Sequence, residues 1–153
     1  MPTTNSDRFG AGVSVLTASS HYAITRLCTV AIAAAAAALT DGDLLNLCVI
    51  PAGHQVVDLK LFCGDLDADG SPALTFDVGL MDDGDTALDT IFVADTTLGQ
   101  AGGTLAVPAT AIMFGTAAAA TDKVLAIEVK TTAATKHAAA RTIGCVVSYV
   151  PSI

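Results

Sequence analysis

In the stretch VLAIEVKT (residues 124–131), Leu125, Ile127 and Val129 alternate with Ala126, Glu128 and Lys130. Successive side chains of a strand point to opposite faces, so this segment has one apolar face and one wetter face. The same alternation recurs along the chain. ALTFDVGL (73–80) sets Leu74, Phe76, Val78 and Leu80 against Thr75, Asp77 and Gly79. HQVVDLKLFC (54–63) sets Val57, Leu59, Leu61 and Cys63 against Asp58 and Lys60. RTIGCVVSYV (141–150) aligns Ile143, Cys145, Val147 and Tyr149. Segments 23–32, 44–50, 104–107 and 111–114 complete a set of about eight strands. Between them lie Gly-, Pro- and Asp-rich breaks: TDGD (40–43), PAGH (51–54), DADGSP (67–72), DDGD (82–85) and GQAGG (99–103). Many short half-buried strands with turns between them predict an all-β sandwich or barrel. No break is long enough for a domain linker and no internal repeat is visible, so a single domain is expected over residues 21–153.

Two stretches depart from period two. AIAAAAAAL (31–39) is made of the best helix formers between β-like flanks, and reads as a strand running into a small-residue connection, with a short helix as the alternative. In 86–103, Leu88, Ile91, Phe92 and Asp95 fall at helical spacing and glycines follow, which predicts a short helical turn on the edge of the sandwich. Residues 1–20 carry Gly, Ser and Thr with only scattered apolar positions, and read as an extended N-terminal arm held by a neighbouring subunit.

Composition sharpens the picture. Of 153 residues, 52% are hydrophobic and only 14% are charged, which supplies a core but few charges to coat a free surface. The net charge of -8 argues against binding a nucleic-acid backbone, which needs clustered Lys and Arg, and against anionic lipid. The longest apolar run, 27–39, is shorter than the roughly 20 residues a membrane span needs. The polar start lacks the basic and then apolar regions of a secretory signal, so use without export is expected. The cysteines, Cys28, Cys48, Cys63 and Cys145, each sit in an apolar run and form no CxxC pair. They read as buried thiols, with disulfides or metal ligation as the alternatives.

The acidic stretch DLDADGSPALTF opens like a calcium loop. Asp65, Asp67, Asp69 and Gly70 match its positions 1, 3, 5 and 6, but Ala73 and Phe76 occupy positions 9 and 12, where ligands belong. The residues that follow are β-like where that motif needs a helix. An exposed turn between two strands is the reading, and a weak calcium site on Asp65, Asp67 and Asp69 is the alternative. His21, His54 and His137 have no neighbours in sequence suited to a triad or metal pair. No nucleophile elbow, phosphate loop or zinc-protease motif is present. No catalytic residue, cofactor or resident metal is therefore expected.

The segment GDLLNLCVIPAGHQVVDLKLFCGDLDADGSPALTFDVG (42–79) resembles small virion proteins of tailed bacteriophages found beside the major capsid protein. Its strand ending LCVIPAG (47–53), the alternating strand into an acidic turn (56–69) and SPALTFDVG (71–79) carry the resemblance, as do GQAGG (99–103) and CVVSYVPS (145–152). The resemblance implies a jelly-roll-like sandwich that decorates or cements a capsid. It implies a homotrimer on the capsid exterior, assembled in the host cytoplasm, with the major capsid protein as partner and neither nucleic acid nor membrane. The competing readings are a tail or fibre adhesin for host glycan and a calcium-dependent binding module. Without Trp, and with only Tyr22 and Tyr149, the chain is poor in the aromatic platforms an adhesin would expose.

Overall fold

A computed structural model describes residues 23–33, 39–113 and 119–151. The expected arm (1–20), His21, the core of the alanine run (34–38) and Phe114 lie outside the described residues. Among the described residues there are eight strands: β1 (Ile24–Ile32), β2 (Leu44–Ile50), β3 (His54–Cys63), β4 (Thr75–Met81), β5 (Leu88–Thr96), β6 (Gly103–Ala106), β7 (Lys123–Thr131) and β8 (Arg141–Pro151). Two short helices, α1 (Leu98–Ala101) and α2 (Ala109–Met113), flank β6.

The strands form two four-stranded sheets, β1-β8-β3-β6 and β2-β7-β4-β5. All pairings are antiparallel, and β1 pairs with β8, β2 with β7, β3 with β6 and β4 with β5. The chain is thus one long hairpin rolled up on itself, with its tip between β4 and β5: a jelly roll. The apolar phases of the strands meet between the sheets. Leu59, Leu61, Phe76, Val78, Leu125, Ile127 and Val147 are all buried, as their alternation predicts.

Three expectations are corrected. Residues 88–96 are a strand, not a helical turn; the helix in this stretch is only Leu98–Ala101. The cause is bulging. The register between β4 and β5 shifts three times, each time with an extra residue on β5. Each extra residue breaks the period of two, and the apolar positions then fall at a spacing that imitates a helix. At one such bulge Asp95 takes φ 49, and its N–H donates to Asp77 Oδ1 at 2.8 Å. The second correction is 111–114. Ala109–Met113 is helical, Ile112 is fully buried, and the helix packs on β3. Pro108 just ahead of it fixes a helix-compatible φ. The third is the phase of β3. An extra residue between Val56 and Asp58 puts Val56 in the core and leaves Val57 half-buried. Three positions read as wetter are also buried: Asp77, Gly79 and Ala126. The backbone of Thr90 and Ile91 lies where a side chain on Gly79 would stand, and Gly79 is paired with the fully buried Ala126.

Candidate functional site

The acidic loop joins β3 to β4 at one end of the sandwich. The ladders place the loops 64–74, 97–102 and 132–140 at this end, together with 39–43. The β4–β5 tip and the first residue of β1 lie at the other end.

The alternating aspartates have a backbone explanation. Asp65 Oδ1 accepts from the N–H of Asp67 at 3.2 Å, Asp67 Oδ1 from that of Asp69 at 3.1 Å, and Asp69 Oδ1 from that of Ser71 at 2.9 Å. These are three successive Asx turns, each carboxylate holding the amide two residues on. The spacing that imitates a calcium loop is therefore what a ladder of such turns requires. The expectation that all three line an exposed loop is corrected: Asp67 is only 2% exposed, and Asp65 and Asp69 are half-buried. Asp67 Oδ2 reaches across the loop to accept from Ala73 at 2.8 Å and Leu74 at 2.9 Å. Burial pushes the Asp67 carboxyl up, but the amides of Leu74, Ala73 and Asp69 outweigh it and hold the group below the usual carboxylate value. Asp69 Oδ2 accepts from the Thr135 hydroxyl at 3.0 Å, and Asp67 forms an isolated β-bridge with Lys136. The loop is thus laced to the β7–β8 connection. Among the described residues, no group of three or more His, Cys, Asp or Glu side chains is arranged to hold a metal ion.

The two described histidines stand at opposite ends of the β3–β8 pair. His54, at the start of β3, approaches the Ala52 carbonyl at 3.0 Å and meets Tyr149 edge-on with ring centroids 5.5 Å apart. His137, before β8, lies 2.7 Å from Arg141 Nη2. No constellation joins them. The remaining motif glycines also have structural roles. Gly53 closes the PAGH turn with φ 72, where His54 N–H donates to the Pro51 carbonyl at 3.1 Å. Gly102 in GQAGG has φ 72 and lies against the backbone of Cys63, Gly64 and Asp65, too close for any side chain.

Two features escaped the sequence. The first is a cluster of thiols. Cys28 and Cys145 face each other in the β1–β8 ladder, and Cys48, on β2 of the other sheet, is close enough to both for the three thiols to influence one another's titration. The neighbouring Cys145 thiol, and less so Cys28, bring Cys48 down to about 6 against the opposing effect of burial. Burial pushes Cys28 up to about 11. Cys145 is raised by the neighbouring Cys48 and by burial. Cys63 stands apart, pushed up to about 12 by burial, with its thiol donating to the Gly64 carbonyl at 3.0 Å. The second feature is an apolar edge. β1 and β2 are edge strands of the two sheets on the same side of the sandwich, tied by Arg26 Nη1 donating to the Val49 carbonyl at 3.4 Å. Leu27 on β1 is 68% exposed and Val49 on β2 is 44% exposed.

A chain of the capsid of Ralstonia phage GP4 has the same fold, with a TM-score of 0.69 and 28% identity, over 85% of this chain and 86% of that one. The chain is similar to a phage capsid component. A chain of the cyanophage Pam1 capsid asymmetric unit shares the fold at a TM-score of 0.62 and 21% identity, over 98% of this chain and 99% of that one. No protein-family model and no curated protein matches the sequence.

Proposed function

We propose that this chain is a non-enzymatic virion structural protein that decorates and stabilises a bacteriophage capsid. In this reading it binds the lattice of the major capsid protein from the capsid exterior, as a homotrimer, after assembly in the host cytoplasm. The observation that carries the reading is the likeness to a chain of the Ralstonia phage GP4 capsid over 85% of the sequence. Other features support it. The acidic ladder, the PAGH turn and GQAGG spend their polar groups on the backbone, as architectural motifs do. A low content of charge suits a protein that covers part of its surface with other chains. The β1 and β2 edges carry exposed Leu27 and Val49, where an isolated sandwich would favour charge. Residues 1–20 are proposed as an arm that lies on a neighbouring subunit, ahead of the domain 21–153.

A protein that binds only the assembled lattice stabilises that lattice by mass action. The test is to add the purified chain to particles that lack it and to locate it by reconstruction, with heat release of the genome as a second readout. Density on the outer surface and a raised release temperature are expected. Failure to bind, or density confined to the tail, would overturn the proposal.

A further inference from the structure

Among the described residues four strands end the two sheets, β1 and β6 in one, β2 and β5 in the other. An edge strand offers unpaired N–H and C=O groups to any other strand, and chains that must stay apart blunt their edges. Three of the four are blunted. β6 has only four residues. The register of β5 against β4 shifts three times, Asp95 stands at φ 49, and Asp89 and Asp95 are exposed. β2 is interrupted by a bulge between Asn46 and Cys48. β1 has none of these devices. Its nine residues, ITRLCTVAI, pair with β8 in unbroken register, from Ile24 opposite Tyr149 to Ile32 opposite Arg141. It holds no Gly, Pro, Lys or acidic residue, and Leu27 is 68% exposed. Its one charge, Arg26, is turned to the Val49 carbonyl. In an antiparallel ladder every second residue of β1 gives its N–H and C=O to β8, and the others turn theirs to the open side.

We propose that the open edge of β1 takes residues 13–17 of a second copy of this chain as an added strand, so that each arm extends the sheet of its neighbour. This deepens the reading of residues 1–20 as an arm on a neighbouring subunit and rests on it. VSVLT (13–17) is uncharged and rich in β-branched residues. It carries apolar side chains in both phases, Val13 and Val15 in one and Leu16 in the other, so exposed Leu27 gains an apolar neighbour in either register. Six residues, ASSHYA (18–23), separate this segment from β1. Extended, they span about 20 Å, enough to leave the sandwich at Ile24 and reach one packed beside it. They include no Gly, Pro, Asn or Asp to turn the segment back onto its own β1 as a hairpin. Backbone hydrogen bonds give such a contact its strength, and the side chains fix its register. An arm passed from each copy to the next is a head-to-tail contact, which closes into a ring as a homotrimer requires.

The experiment uses the full-length chain free of capsids. Isotopically heavy and light copies, with a photoreactive residue in place of Val15, are refolded together, crosslinked and mapped, and amide exchange is followed along β1. Heavy–light crosslinks from position 15 to residues 24–32 are expected, with slow exchange at every residue of β1. The double variant Ser14→Pro, Val15→Pro removes a bonding N–H in either register and should lose protection at alternate β1 residues, as should dilution to monomer. Thr4→Pro, ahead of the segment, should change neither. Crosslinks confined to a single copy, crosslinks to another edge, or alternate β1 amides that exchange freely at the highest concentration would each overturn the proposal. Binding to particles is a separate readout. A chain that decorates capsids without these crosslinks sinks the pairing alone, and one that pairs but ignores capsids sinks only the capsid role.

Discussion

Asp67 shows how one side chain organises a loop. Its carboxylate closes two amides at the entrance to β4 and one within its own loop. Asp67→Ala strips those N–H groups of their acceptor inside a buried site. A cost of about 2–4 kcal/mol is expected by chemical denaturation. The sign with pH follows from the depressed titration of Asp67. Its contribution is complete above the unfolded value of about 3.9 and is lost as pH falls through the lower folded value. Stability of the wild type should therefore decline below about pH 4 more steeply than that of Asp67→Asn. Equal slopes would show that Asp67 does not govern acid unfolding. Because Asp65, Asp67 and Asp69 are engaged with backbone amides, calcium titrated into the chain should give no heat and no change in Tm. Phe76, 1% exposed between the sheets, is the largest fully buried side chain among the described residues, and Phe76→Ala should cost about 3–5 kcal/mol.

At the scale of elements, what the sequence reveals depends on whether a strand keeps its period. β4, β7 and β8 keep the period of two in their sequence, and the apolar phase so read is buried, although β4 is buried on its other face as well. β5 carries three extra residues, and its pattern looks helical although it pairs along β4. The single bulges in β2 and β3 are as consequential: one turns Cys48 inward and the other exchanges Val57 for Val56. The thiol cluster was invisible for this reason. It needs a bulge and a contact between sheets, and neither leaves a mark in local sequence. The acidic ladder misled in the opposite way, because Asx turns repeat every two residues and so do calcium ligands. Turn glycines allow a quantitative comparison. Gly53 has open space around it, so Gly53→Ala should cost only the strain of a positive φ, about 1–2 kcal/mol. Gly102 has the same φ and also abuts the Asp65 backbone, so Gly102→Ala should cost more. Equal losses in urea midpoints would contradict the close approach.

For the whole molecule, the edge formed by β1 and β2 is the surface on which proposed assembly is best tested. Leu27→Lys and Val49→Lys replace exposed side chains, so the folded monomer should keep its Tm within a few degrees. If this edge joins subunits, both variants should sediment as smaller species and leave capsids at lower temperature. Deleting residues 2–18 should likewise leave the sandwich folded and weaken oligomer or capsid attachment. Unchanged sedimentation and unchanged retention would make that segment a passive tail. The nested pairing of the strands also sets an order in time. The β4–β5 hairpin closes a short loop, whereas Ile24 must find Tyr149 across almost the entire described chain. Closing the short loop first costs less entropy, and each pair then brings the next within reach. Substitutions in β4 and β5 should therefore slow refolding, and those between β1 and β8 should mainly speed unfolding. During synthesis, β1 leaves the ribosome before the other described strands and waits longest for its partner, so the strand that carries exposed Leu27 spends the longest time unpaired.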